Sequence, residues 1–79
     1  MQNQARDITP EELRFVTFVI ENVASELNTS GDMVYQALSK DSDLLMRYVI
    51  PSYDVLHTQS KEYIVNDIMR AMSREGIGV

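Results

Sequence analysis

Apolar residues recur at helical spacing along the first third of the chain. From Leu13, the steps to the next members are three, four, three and four residues, which gives the series Leu13, Val16, Ile20, Val23 and Leu27. Such steps place side chains on one face of an α-helix, whereas a half-buried strand alternates with a period of two. Because no stretch alternates convincingly with that period, the sequence predicts an all-α fold.

Helix-capping patterns indicate where the predicted helices begin. The hydroxyl of Thr9 can cap a helix, Pro10 suits the first helical position, and Glu12 completes a capping box. Further capping hydroxyls stand before the later helices, at Ser30 and at Thr58 or Ser60.

The complete pattern predicts helices at about 10–28, 31–39, 43–49, 51–57 and 60–74. Pro51 divides the middle pair because the residue before a proline, Ile50, avoids helical geometry. Gly76 can stop the last helix. We therefore predict a single domain of four or five short helices at 9–76, with a flexible N-terminus at 1–8 and a C-terminal tail at 77–79.

A chain of 79 residues is short for one hydrophobic core. Domains of this size bury roughly 60–65% of their unfolded surface and often need disulfides, metals or oligomerisation. The chain has no cysteine and one histidine, which excludes disulfides and thiolate metal sites, and we expect no metal and no cofactor. A protein partner or a homo-oligomer is the remaining source of support.

Charge and hydropathy restrict the partners. Twelve acidic and seven basic residues give a net charge of −5, which repels nucleic-acid phosphates and anionic membranes. No apolar run approaches the roughly 20 residues of a membrane span, and the N-terminal MQNQARDITPEE lacks a signal-peptide core. We therefore expect a cytoplasmic protein without a membrane partner, and nucleic acid is disfavoured.

The stretch VASELNTSGDMVYQAL, residues 23–38, resembles the helix-turn-helix of bacterial regulators. Ala24 supplies the small residue, Ser30 the cap, and the expected core positions are Leu27, Val34 and Leu38. DNA recognition also needs basic or amide side chains early in the second helix, where this chain has Asp32 and no base before Lys40. Two interpretations remain: a DNA-binding regulator, or a helical corner used for packing, which the charge favours.

A second cluster surrounds the single histidine. Asp54 and His57 are three residues apart and Tyr53 and His57 are four apart, so all three can meet on one short helix. An Asp–His pair beside the hydroxyls of Thr58 and Ser60 is compatible with a small enzyme centred on His57. A joint between two helices explains the same residues, because His57 lies near a predicted helix end and the hydroxyls lie where caps belong. We favour the joint and expect no catalytic residue.

The stretch IPSYDVLHTQSKEYIVNDI, residues 50–68, resembles the signature of a family of small uncharacterised bacterial proteins, a domain of unknown function with a Y-x-x-L-H-T core followed by Y-I-V-x-D-I. FVIENVASELNTSGDMVYQAL fits its N-terminal half, so the resemblance covers about residues 13–72. It implies an all-helical fold without an established activity, and neighbouring genes for ADP-ribosyltransferase-like proteins, hence a partner or antitoxin-like role. The motif residues, interpreted as structural, are Tyr53, Asp54, His57, Thr58, Tyr63 and Asp67.

The chain carries more apolar surface than one small core needs. Phe15 and Phe18 lie off the main stripe of the first helix, and the last helix is apolar over more than a third of its circumference. Either the first helix is covered on both sides, or these aromatics are exposed and bind a partner. The candidate contacts are Phe15, Phe18, Tyr35 and Met69. The sequence thus favours a non-enzymatic protein-interaction module, ahead of the DNA-binding regulator and the small enzyme.

Overall fold

The computed structural model describes residues 8–78, which form five helical segments and no strand. In chain order these are α1 (Pro10–Leu27), α2 (Gly31–Ser39), a π-helical segment (Leu45–Val49), α3 (Tyr53–Leu56) and α4 (Lys61–Arg74). The predicted all-α class is confirmed. The predicted flexible N-terminus lies outside the described residues except for Ile8, as does Val79 of the predicted tail.

The helices begin at the predicted caps. At α1 the Glu12 amide donates to the Thr9 hydroxyl, and the Thr9 amide donates to the Glu12 carboxylate, both at 3.1 Å. Ser30 caps α2 by accepting from the Met33 amide at 3.2 Å. Ser60 rather than Thr58 caps α4, where its hydroxyl accepts from the Tyr63 amide at 3.1 Å. Local side-chain chemistry therefore sets these three starting points.

Two helices end in a left-handed residue. Asn28 has φ 57° after α1, and the next amide, of Thr29, donates to Ala24. Gly76 has φ 72° after α4, and the Ile77 amide donates to Met72 at 3.0 Å. Both patterns satisfy carbonyls that a helix end leaves unpaired. The Ile77 side chain also packs against the core, one residue beyond the predicted domain boundary.

The middle of the chain differs from the predicted pair of α-helices. Leu45–Val49 is π-helical, with the Ile50 amide donating to the Leu45 carbonyl at 3.0 Å. Ile50 keeps helical angles, φ −65° and ψ −47°, although it precedes Pro51, so the expectation that Ile50 avoids helical geometry is wrong. The two middle segments are nevertheless separate, because the first ends at Val49 and the next begins at Tyr53. The chain then turns, and α3 is a single helical turn.

The buried face of α1 overlaps the predicted stripe only in part: Val16 and Val23 are buried as predicted, but both ends of the stripe are not. Val19 is fully buried and Phe15 is 6% exposed, whereas Leu13 is 57% exposed and Leu27 lies at the surface. Phe18-Val19-Ile20 is apolar throughout, so spacing alone could not tell which of two overlapping stripes faces inward. Because α1 packs against both α2 and α4, its buried arc is wide and includes Phe15. The expected exposure of Phe15 and the expected core position of Leu27 are therefore corrected.

Candidate interaction site

Three grooves follow one another along the seam between α1 and α4. The first, here called the aromatic groove, has a volume of about 490 Å³ and is lined by Glu11, Arg14, Phe15, Phe18, Tyr53, His57, Gln59, Lys61 and Ile64. The polar groove, of about 340 Å³, is lined by Asn22, Ser25, Glu26, Lys61, Glu62, Val65 and Asn66. The methionine groove, also of about 340 Å³, is lined by Leu27, Met69, Met72, Ser73, Ile77 and Gly78. Residue numbers rise together on both helices, so α1 and α4 run in the same direction.

Three rings in series build the wall of the aromatic groove. Phe15 and Tyr53 pack edge to face, with ring centroids 5.5 Å apart and an angle of 77° between the ring planes. Tyr53 stacks on His57 with centroids 4.5 Å apart and planes within 16°. Phe15 is buried, Tyr53 is half-buried and His57 is exposed, so the series leads from the core to the surface. Both arrangements are favoured geometries for aromatic pairs.

The histidine is held by main-chain geometry rather than by an acid. Its Nδ1 lies 2.7 Å from the Tyr53 carbonyl, and a carbonyl only accepts, so Nδ1 carries a proton and donates. Within residues 8–78 no hydrogen bond or ion pair joins Asp54 to His57, so the predicted Asp–His pair is not formed. Ser60 is occupied as the α4 cap, and Thr58 is exposed. His57 and Ser60 thus lie at the joint between α3 and α4, as the C-cap of one helix and the N-cap of the next.

The rim of the aromatic groove carries charge of both signs. Arg14 lies 3.9 Å from Glu11, and both side chains are mostly exposed, so the pair is weak. Lys61 stands at the first position of α4, directly after the Ser60 cap. The sequence patterns singled out neither Arg14 nor Lys61. A cation at the start of a helix opposes the helix dipole, and that signal could have pointed to Lys61.

The other side of α4 is joined to the π-helical segment by polar contacts. The Tyr48 hydroxyl donates to Asp67 at 2.6 Å, and Asp67 pairs with Arg70 at 3.9 Å. The hydrogen bond to the Asp67 carboxylate, assisted by burial, raises the pKa of Tyr48 above its ordinary value. Arg47 donates to Asp43 at 2.8 Å and to Glu75 at 3.0 Å. The Asp67 of the family motif is therefore part of the fold.

The predicted interaction residues are not brought together as one patch. Phe15 and Phe18 line the aromatic groove, with Phe18 half-buried, and Met69 lies in the methionine groove. Tyr35 is exposed on α2 and lines none of the three grooves. Tyr53 and His57 of the motif join the two phenylalanines, whereas Tyr63 is exposed outside the groove. The interaction role of these residues stays a prediction.

The helix-turn-helix-like corner is formed by α1, the turn Asn28–Ser30 and α2. Ala24, Val34 and Leu38 are buried at the corner, as the motif requires. Gly31–Ser39 contains Asp32 and no basic residue, so the second helix lacks the cations that contact phosphates. The geometry of the corner is thus that of packing between two helices.

Two further properties concern the described part of the chain. Among residues 8–78, no three His, Asp or Glu side chains form a group that could hold a metal ion. No helix within the same residues is long and apolar enough to cross a membrane.

Residues 14–75 match the model of the family described as protein of unknown function (DUF3791). The chain belongs to the DUF3791 family. The match begins in the second turn of α1, covers the later helices, and includes all the lining residues of the aromatic groove except Glu11. The specific Y-x-x-L-H-T signature stays a prediction. Searches of curated proteins and of solved structures found no match to the chain.

Proposed function

We propose that this DUF3791 domain is a non-enzymatic protein-interaction module that docks a partner in the aromatic groove. The observation that carries the proposal is the meeting of Phe15 and Phe18 with Tyr53 and His57 in one surface groove of about 490 Å³. Two separate sequence features, the surplus aromatics and the family motif, thus converge on one place. Aromatic side chains at a surface groove are typical anchors of protein interfaces.

The groove is also suited to docking by its rigidity. Phe15 is buried and fixes the position of Tyr53, and Tyr53 in turn stacks on His57. Side chains that are already ordered lose little conformational entropy when a partner binds. The partner or antitoxin-like role implied by the family resemblance is a special case of this proposal.

A non-enzymatic role is supported by the chemistry of the same groove. The Nδ1 of His57 is engaged by a main-chain carbonyl. Of the two hydroxyls that follow His57, Ser60 is engaged as a helix cap and Thr58 is exposed to solvent. A general base needs an orienting partner and a nucleophile within reach, and the groove lining provides aromatic, amide and charged side chains instead.

The test compares partner capture by two matched aromatic variants. Phe18→Ala removes a groove ring, whereas Tyr63→Ala removes a ring that is 50% exposed and outside the groove. Each tagged full-length chain is used to recover proteins from the cell of origin, and recovery is quantified by mass spectrometry. We expect a protein that wild type and Tyr63→Ala retain equally and that Phe18→Ala loses at least about tenfold, since interface anchors contribute about 2 kcal/mol or more.

His57→Ala serves as a second groove variant, because His57 is exposed and its loss leaves the core intact. Circular dichroism and thermal melting establish that each variant is folded. A set of recovered proteins that is the same for wild type, Phe18→Ala and His57→Ala would contradict docking in the aromatic groove.

A further inference from the structure

We infer that the aromatic groove takes an acidic segment of another protein, with an apolar anchor against Phe18 and Tyr53 and carboxylates beside Arg14 and Lys61. This inference rests on the proposed docking function and adds the chemistry of the partner. It is carried by the charge of the groove, the position of Lys61 and the unpaired hydroxyl of Tyr53.

The charge of the groove is opposite to that of the molecule. Two of the seven basic residues, Arg14 and Lys61, line it, against one of the twelve acidic residues, Glu11. No ion pair is formed by Lys61 with any other residue in 8–78. An acidic segment is repelled by the rest of the surface and attracted here, which gives a partner both orientation and a faster association.

The position of Lys61 is unfavourable for α4 itself. Lys61 is the first residue of a 14-residue helix, where the helix dipole presents its positive end. Its ammonium group adds to that positive end, in the groove where Phe18 and Tyr53 already provide an apolar wall. A carboxylate placed beside Lys61 offsets both the charge of the ammonium group and the positive end of the helix dipole. The partner thus supplies the negative charge that is missing at the start of α4.

The wall of the groove also offers a polar contact. No hydrogen-bond partner for the Tyr53 hydroxyl is found in the described part of the chain, although Tyr53 is half-buried. This hydroxyl can donate to a carboxylate or a main-chain carbonyl of a bound segment. The groove is shallow and open to solvent, so an apolar side chain of a bound segment can lie against its aromatic wall with acidic residues on either side.

The test selects random peptides of about 16 residues, displayed on phage, for binding to the folded full-length chain. We expect the enriched peptides to carry an aromatic or branched aliphatic residue flanked by Asp or Glu, and to lose binding to Phe18→Ala. Enriched peptides that are neutral or basic but still depend on Phe18 would overturn the acidic preference and leave the docking function standing. If no enriched peptide depends on Phe18, the docking function fails as well.

A matched pair of charge reversals then separates binding from folding. Lys61→Glu should weaken binding of an enriched peptide by about 3- to 10-fold while its melting temperature stays equal or rises, because a carboxylate suits a helix start. Lys40→Glu, at the C-terminal cap of α2 and outside the groove, should leave binding unchanged and lower the melting temperature slightly. Equal affinity of Lys61→Glu and wild type would contradict the inference.

A second copy of this acidic chain is the competing occupant. Sedimentation of the free protein distinguishes it, since we expect a species whose size does not change with concentration. If the protein self-associates and Lys61→Glu abolishes the self-association, the occupant of the groove is a second copy of this chain. That result would overturn the inference.

Discussion

The two sides of α4 are joined to the rest of the chain in different ways. Towards the π-helical segment, the contacts are polar and close: Tyr48 to Asp67 and Arg47 to Glu75. Towards α3 and the first half of α1, rings stack and a groove remains open. The residues of the family motif fall on different sides of α4: Asp67 lies on the polar side, and Tyr53 and His57 lie on the aromatic side. Asp67 therefore contributes to packing of the fold, whereas Tyr53 and His57 belong to the groove in which we propose that a partner binds.

The largest expected effect concerns a buried residue of α3, on the aromatic side. Leu56 is 4% exposed in the single turn of α3, next to Val55, which is 69% exposed. Leu56→Ala should lower the free energy of unfolding by about 2–5 kcal/mol, since it removes buried surface and leaves a cavity. Val55→Ala should change it by less than about 0.5 kcal/mol. Urea denaturation measures both, and similar values for the two variants would contradict the position of α3.

A smaller effect is expected on the polar side alone. Tyr48→Phe removes the hydroxyl that donates to Asp67 and should cost about 1–2 kcal/mol of stability, because the half-buried carboxylate loses a hydrogen bond. The control is Tyr35→Phe, an exposed tyrosine on α2, which should be neutral. Binding to the groove should be unchanged in Tyr48→Phe once the protein is folded. If Tyr48→Phe loses more partner binding than its loss of folded protein explains, the polar and aromatic sides of α4 do not have separate roles.

The smallest expected effect is the response of that hydrogen bond to alkaline pH. The pKa of Tyr48 is raised in the folded state by its hydrogen bond to Asp67, so the folded chain holds this proton more tightly than the unfolded chain. The resulting stability is present below the ordinary tyrosine pKa of about 10 and is lost as pH rises through the folded value. Unfolding curves at a series of pH values above 9 should therefore converge for wild type and Tyr48→Phe. A stability difference that stays constant with pH would contradict this.

The helix starts and the buried positions of α2 were predictable from the sequence, whereas the inward face of α1 was not. The caps at Thr9, Ser30 and Ser60 act within three residues, so their patterns predict helix starts without knowledge of the fold. The inward face of α1 depends on where α2 and α4 lie, and the apolar run Phe18-Val19-Ile20 fits two orientations. Spacing therefore placed Leu13 inside and Phe15 outside, and the reverse holds.

The candidate site was also predictable only in part. The sequence singled out Phe15, Tyr53 and His57 from composition and motif, but nothing in it places Phe15 against Tyr53, because that contact joins α1 to α3. The expected Asp54–His57 pair is not formed, because the imidazole donates its hydrogen bond to the main-chain carbonyl of Tyr53, one helical turn earlier. The π-helical turn before Pro51 was missed because helical periodicity does not distinguish it from an α-helix over five residues.

The parallel course of α1 and α4 affects when the aromatic groove can form during folding. Two parallel helices cannot be neighbours through a short connection, so the chain travels back through α2, the π-helical segment and α3 before α4 can pack. The walls of the aromatic groove come from α1 and from residues 53–64, so the groove forms only after the chain between them has folded and brought these parts together. A partner that binds there binds only the folded chain, and by mass action it protects that chain from unfolding and proteolysis.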